Sequence, residues 1–266
     1  MLALRLLTVV SASLLLVAKV YGGDEQQPPA QETTKKTTYA VTLGKDGTCL
    51  SEINSARKKA GFNDFVIPQE DAKQKRLPEQ GEEVPDSDAT WVWKPVCDVL
   101  IPQEVTGKST EEEAGKKFVS GTYAFQVVVD AVSPSCTDVV EKWKNAYKNF
   151  NGLPPSNKNS ELYTSQDNIS FVAMYNPSDD ATADCRVVTC TRKITTTPTR
   201  LLLDSAEEEE EDETKAEETK QGSALICMTT PDVLPANSEH PPFTEVPQHS
   251  LALQQRCERA ILRRSD

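Results

Sequence analysis

Apolar residues are scattered along this chain in short groups, and their periodicity changes from group to group. Tyr39-Ala40-Val41-Thr42-Leu43 alternates at period two and predicts a first strand. From Cys49 to Ala60, the residues Leu50, Ile53, Ala56 and Ala60 recur on one helical face. Thr48 is the candidate N-cap and Gly61 the candidate C′ residue, so a helix is expected here. Phe62, Phe65, Val66 and Ile67 follow as an apolar anchor, and Glu70 to Ala89 is polar and proline-spaced, which reads as a surface loop. Trp91, Trp93 and Val96 return to the core just before Cys97.

Further along, Ser109 with Glu112 and Thr110 with Glu113 form two capping-box patterns, so a short helix is expected over 109–118, broken by Gly121. Thr122 to Val129 gives the strongest strand pattern, with Tyr123, Phe125, Val127 and Val129 on one face. Thr137 to Phe150 carries an apolar stripe of Val139, Val140, Trp143, Ala146, Tyr147 and Phe150, with lysines 142, 144 and 148 mostly off it. Asn151-Gly152 and Pro154-Pro155 end that helix. Ile169, Phe171, Ala173 and Tyr175 alternate and predict a strand, ended by Asn176-Pro177. Arg186–Cys190 and Ala224–Met228 predict two more, as antiparallel partners. Helices and strands are intermingled rather than strictly alternating, which predicts an α+β domain with a mainly antiparallel sheet.

The ends of the chain and its charge set the boundaries. Residues 1–23 combine Arg5, an apolar run from Leu6 to Ala18 and small residues at Gly22 and Gly23, the pattern of a cleavable signal peptide. The run is shorter than the ~20 residues that cross a bilayer. Residues 24–38 read as a flexible leader, 39–231 as the folded domain, and 232–266 as a disordered proline-rich tail. The formal charge is −12, which argues against nucleic acid as a partner. Much of the charge lies in an insert at 204–220 with ten acidic and two basic residues and no large apolar side chain, which reads as a solvated loop. Its consecutive glutamates lack the spacing that wraps a calcium ion.

Seven cysteines stand at 49, 97, 136, 185, 190, 227 and 257. In a secreted chain the six from Cys49, Cys97 and Cys136 to Cys185, Cys190 and Cys227 imply three disulfides of open connectivity, leaving Cys257 as an unpaired thiol. Cys185 and Cys190, five apart on a strand, point to opposite faces, so they should tie the strand to two different layers rather than bond to each other. Asn168-Ile169-Ser170 is a possible N-glycosylation sequon. The two histidines, His240 and His249, both fall in the expected tail, where no imidazole can be held against a nucleophile. No GxSxG, HExxH or phosphate-cradling glycine loop occurs. No enzyme, cofactor or metal site is therefore expected. Arg57-Lys58-Lys59 and the lysines of the second helix could form a basic patch for acidic glycans, although a solvated helix face is the stronger expectation.

Several blocks in one order carry a resemblance. TCLSEINSARKKAGF at 48–62, SGTYAF at 120–125, KNFNGLPP at 148–155, LYTSQDNISFVAMYNPSDDATADCRVVTC at 162–190 and ALICMTTP at 224–231 closely resemble the SAG surface antigens of Eimeria, an apicomplexan parasite. The resemblance implies a secreted or cell-surface, disulfide-linked antigen, GPI-anchored in typical members. Its implied partners are a host-cell surface, through protein or glycan, and host antibodies. It also implies a fold similar to the CAP superfamily, a three-layer α-β-α sandwich. Asn54, Arg57 and Gly61 match the CAP helix pattern, but Ile53 stands where that pattern has histidine, so a CAP-type metal or enzymatic role is not expected. The terminal RCERAILRRSD does not resemble a GPI signal, which needs a closing apolar stretch. The function expected is a non-enzymatic antigen for host attachment; the alternative is a secreted carrier of a small ligand or lipid in a CAP-like cavity.

Overall fold

The computed structural model describes residues 33–102, 121–158, 161–198 and 216–243. The expected signal peptide, the expected helix at 109–118, most of the acidic insert, His249 and Cys257 lie outside them.

Five strands form one antiparallel sheet in the order β2-β1-β4-β5-β3. They are β1 (Thr33–Leu43), β2 (Val84–Pro85), β3 (Thr122–Val128), β4 (Thr182–Pro198) and β5 (Ala216–Thr230). The expected pairing of Arg186–Cys190 with Ala224–Met228 is present as the centre of the β4–β5 ladder. Both strands run far beyond it. Residues 33–38, expected as leader, continue β1 from Thr33 opposite Pro198 to Leu43 opposite Val188. Residues 216–220, expected as part of the loop, continue β5 opposite Thr196 to Arg192. These extensions are threonine- and charge-rich, so they hold their place through backbone bonds to β4 and not through a buried face.

Among the described residues four helices pack on this sheet: α1 (Leu50–Ala60), α2 (Lys94–Leu100), α3 (Cys136–Asn145) and α4 (Gln166–Met174). Helix α1 ends as expected at Gly61, whose φ of 90° is left-handed and costs a glycine nothing. It starts differently. Cys49 caps it at φ 63°, and the Thr48 hydroxyl donates to the Lys45 carbonyl instead. Helix α3 buries Val139, Val140 and Trp143, then tightens into a 3-10 turn at Ala146–Asn149 before Phe150. Helix α2 was not legible, because Trp91, Trp93 and Val96 read only as core residues.

The main correction concerns 166–174, which is helix α4 and not a strand. Gln166, Asn168, Ser170 and every residue from Phe171 to Met174 are buried. A helix buried almost all round has no polar stripe, so its alternating apolar residues mimic a half-buried strand. Burying Phe171, Val172 and Met174 contributes roughly 1.5–3 kcal/mol each.

The sheet has a core on each side. On one face Ala124, Val128, Cys185, Val187, Leu225 and Cys227 pack under α1, α3 and α4. On the other, Tyr123, Phe125, Val188, Cys190, Ala224 and Ile226 meet Trp93, Val96 and Cys97. That second cover comprises the seven-residue α2 and irregular chain among the described residues. An open sheet covered so unequally does not establish the CAP-like three-layer sandwich; α+β with an antiparallel sheet is what it supports. The tail boundary also moves. Phe243 is buried against Phe62, with ring centroids 6.3 Å apart, and Asn157 Nδ2 donates to the Leu234 carbonyl at 2.8 Å.

Gly222, opposite Cys190 on β5, lies under the C-terminus of α2. A Cβ there would stand 2.4 Å from the Leu100 carbonyl oxygen, a backbone atom that has little freedom to withdraw. Gly222→Ala is expected to destabilise the domain by about 1–3 kcal/mol. Urea denaturation with unchanged m-value and a lowered midpoint is the check; an unchanged midpoint would show that α2 can lift off β5 freely.

Candidate interaction surface

The six framework cysteines pair as Cys49–Cys136, Cys97–Cys190 and Cys185–Cys227. The first ties the start of α1 to the start of α3, and the second ties α2 to β4. Cys185 and Cys190 do point to opposite cores. Cys185, however, does not reach another layer: the β4–β5 register places it directly opposite Cys227, so that bridge stays within the sheet. Asn168 is 3% exposed. Its Nδ2 donates to the Leu162 carbonyl at 2.7 Å, and its Oδ1 accepts from Asn149 Nδ2 at 2.7 Å. The sequon thus sits inside a helix with its acceptor nitrogen occupied, not at the end of an open strand.

The basic patch, the weaker of the two readings of these residues, loses Arg57, while Lys58, Lys142 and Lys144 lie beside carboxylates. Arg57 turns inward and is wholly buried. Its Nε donates to the Asn63 carbonyl at 2.8 Å, and its Nη1 donates to the carbonyls of Met174 at 2.8 Å and Asn176 at 3.0 Å. The guanidinium also lies 3.6 Å from the centroid of the Phe65 ring, a cation–π stack. Burial pushes its pKa down to about 10, with Asp64 and Tyr175 opposing the fall, so it stays cationic at neutral pH. Lys58 pairs with Asp64 at 2.8 Å, Lys142 lies 3.7 Å from Asp167, and Lys144 pairs with Glu141 at 2.9 Å.

A second polar cluster was missed altogether. Asp184 is fully buried on β4, and its carboxylate accepts from the Leu77 N–H at 2.8 Å and from Arg186 Nε at 3.0 Å. Arg76 and Arg186 both reach Asp46 as well. These four residues fasten the polar 70–89 segment to the sheet. Their sequence positions share no spacing that could have announced them. No group of three or more His, Cys, Asp or Glu among the described residues is placed to hold a metal ion. No helix among the described residues is long and apolar enough to cross a membrane. His240 is exposed.

The surface with most unspent chemistry lies where β3 runs into α3. Strand β3 is the last of the sheet, so one side of its backbone faces away from β5. Helices cover the first half of that edge. Gln166 Nε2 donates to the Tyr123 carbonyl at 2.8 Å, Ser170 Oγ accepts from the Phe125 N–H at 3.0 Å, and Trp143 Nε1 donates to the Phe125 carbonyl at 3.1 Å. Among the described residues the cover then stops. Val127 is 44% exposed, while Val129 and Val132 stand fully in solvent, contrary to the expected single buried face. The loop carrying them is held by Asp130, whose Oδ1 accepts from the N–H groups of Val132 at 2.8 Å and Ser133 at 3.0 Å. Those two bonds draw the Asp130 pKa below the ordinary aspartate value. A groove of about 370 Å³ opens beside the loop, between Gln126–Val129 and the Val139–Lys142 face of α3. A second, of about 430 Å³, continues along α3 past Asp138, Glu141 and Asp167.

Comparison with known proteins gives the following. Residues 45–251 match the family described as sporozoite surface antigen (SAG) protein domain. The sporulated oocyst TA4 antigen of Eimeria tenella is 27% identical over 162 residues, with 57% of this chain and 58% of the relative covered. The chain thus spans less than two thirds of the length of that curated relative. Among solved structures the chain is similar to the Eimeria tenella surface antigen protein SAG19, at 12% identity and a TM-score of 0.39, over 81% of this chain and 97% of that one.

Two outcomes test the buried polar groups. Arg57→Met leaves three backbone carbonyls without their donor and is expected to cost about 3 kcal/mol or more, read as a lowered urea midpoint. A change within about 0.5 kcal/mol would mean that water replaces the guanidinium. The folded protein made in a glycosylating host should show no mass on Asn168 by peptide mass spectrometry; stoichiometric glycan there would contradict the packing of α4.

Proposed function

The chain belongs to the sporozoite surface antigen (SAG) family and is a surface antigen of cell-surface or extracellular location, and from that premise we propose that it acts as a non-enzymatic attachment module for a host-cell surface. The observation that carries this reading is the valine-bearing loop between β3 and α3. Exposed aliphatic side chains gain nothing in water, and here they are displayed on a loop pinned at both ends. Strand β3 holds one end and the Cys49–Cys136 bridge holds the other. Asp130 fixes the middle. Such pre-organisation lowers the ordering cost of binding. Host antibodies would meet the same projecting surface.

The carrier alternative is less well supported. The two grooves described beside α3 are open to solvent and rimmed with carboxylates, a poor enclosure for a lipid or apolar small molecule. The approach to the membrane, by GPI anchor or otherwise, belongs to the proposal and not to the fold.

The disulfide-intact protein should bind host epithelial cells saturably in flow cytometry, and Val129→Asp with Val132→Asp should reduce that binding at least about tenfold while leaving the melting temperature unchanged. Equal binding by the double variant would sink the reading, and a stoichiometric small molecule seen by native mass spectrometry would favour the carrier. A pH series checks the loop separately. The folded pKa of Asp130 is depressed, so the stability its carboxylate contributes is fully present above the unfolded value and is lost as pH falls through the folded one. Binding that depends on this loop should therefore be flat from neutral pH down to about 5.

A further inference from the structure

We propose that the uncovered step of the β3 edge at Val127 is a strand-addition site for an extended partner segment that alternates basic and apolar side chains. This rests on the attachment reading and names the chemistry of what is bound.

The argument begins with hydrogen-bond alternation. In an antiparallel ladder, successive residues of an edge strand direct their N–H and C=O alternately toward the neighbouring strand and away from it. The contacts of Phe125 with Ser170 and Trp143 show that Phe125 faces away from β5. Tyr123 and Val127, two residues to either side, therefore face away too. At Tyr123 the carbonyl is taken by Gln166 of α4. Natural sheets cover or blunt an exposed edge because it is a template for another strand. Here the cover ends one residue pair too early.

At Val127 the only group on the outward carbonyl among the described residues is the Nε2 of Gln126, at 3.1 Å. That is a neighbouring side chain, which can rotate away. The Gln126 Oε1 is itself buried without a hydrogen-bond partner. The same residue thus carries a loosely placed donor and an unsatisfied acceptor at the mouth of the groove. An incoming strand would exchange its N–H and C=O with those of Val127, and rotation of the displaced Gln126 amide would bring its Oε1 out to the strand's donors. Side chains on one face of the added strand would enter the groove against Val139 and Lys142. Those on the other face would meet Val127 and Val129, which are exposed in the free protein.

Charge decides the class of partner. Asp130, Asp138, Glu141 and Asp167 line the two grooves, against Lys142 as the one lining cation among the described residues. Lys142 is already engaged with Asp167, and Glu141 with Lys144. Asp130 and Asp138 are left facing the groove mouth, bonded to the Val132 and Ser133 amides and to the Ser135 hydroxyl. An acidic strand would be repelled and a purely apolar one would leave the rim unpaired. An alternation of lysine or arginine with valine-sized residues fits both the rim and the apolar step.

The test uses the full disulfide-intact chain and three synthetic hexapeptides: alternating lysine–valine, alternating glutamate–valine, and the lysine–valine peptide N-methylated on alternate amides. Calorimetric titration should show binding of the first peptide, at least about tenfold weaker binding of the other two, and protection of the Val127 amide in hydrogen exchange. Val127→Pro removes an outward N–H, which an edge strand tolerates, and should abolish binding. Val129→Lys, at a fully exposed site that cannot disturb the core, should weaken it by charge repulsion. The proposal is overturned if the N-methylated peptide binds as well as its parent, if Val127→Pro and Val129→Lys both bind normally, or if ultracentrifugation shows Val127-dependent dimers, since the edge would then serve a second copy of this chain. Host-cell binding measured on the same variants separates the two readings: adhesion that survives Val127→Pro rejects the edge and leaves the attachment role standing, whereas peptide binding without adhesion does the reverse.

Discussion

Arg57 is the constraint on which the helical face of this domain depends. A guanidinium removed from water is tolerated only if its donors are met, and here they are met by three backbone carbonyls from separate stretches of chain. One acceptor lies just past the end of α1, and the other two close the C-terminus of α4. Carbonyls at a helix end lack intrahelical partners, so a cation placed there satisfies the helix as well as itself. Asn176 extends the arrangement: its carbonyl receives Arg57 while its Nδ2 donates to the Pro231 carbonyl just beyond β5. Helix α1, helix α4 and the end of β5 are thus drawn to one point. The Cys49–Cys136 bridge fastens the other end of α1 to α3.

A second constraint shapes the rim of the sheet. Backbone groups on the outer side of β3 need partners, and α3 and α4 supply them with Trp143, Gln166 and Ser170 side chains. This explains why α4 buries Gln166 and Ser170 in company with phenylalanine and methionine. Its polar residues do the work of a missing sixth strand. Where those residues run out, the valines and the grooves begin. The attachment reading and the strand-addition site therefore arise from one structural circumstance, a sheet edge that its helices cover only in part.

Much of the fold was legible in the sequence. Helix α1, the body of α3 and the core of β1 each place their apolar residues on one face, and a one-sided pattern is what periodicity detects; β3, β4 and β5 are apolar on both faces and were legible as short apolar runs. The illegible parts share a different physics. Helix α4 is buried on nearly every side, so it offers no polar stripe, and its residues at 169, 171, 173 and 175 imitated a strand. Threonine- and charge-rich residues at 33–38 and 216–220 are strands because β4 lies beside them, and no side-chain pattern records that. For the candidate surface, Val127 and Val129 were placed on one face with Tyr123 and Phe125, and alternation shows that a face exists, not whether anything covers it.

The sequence by itself determined the family, through blocks of residues spread in order along the chain, the number of framework cysteines, the α+β character, and the helices and strands whose apolar residues fall on one side. Those properties are written in local periodicity and composition. Only the tertiary structure decided which cysteines meet, that Arg57 turns inward while Lys58 and Lys59 do not, that Asn168 is packed inside a helix, and that the described helices cap the β3 edge at Tyr123 and Phe125. Most of these depend on groups far away in the chain, such as Cys227 for Cys185 and Met174 and Asn176 for Arg57. A hydrogen bond or a disulfide forms wherever the fold brings its partners within reach, and sequence spacing holds no information about that distance.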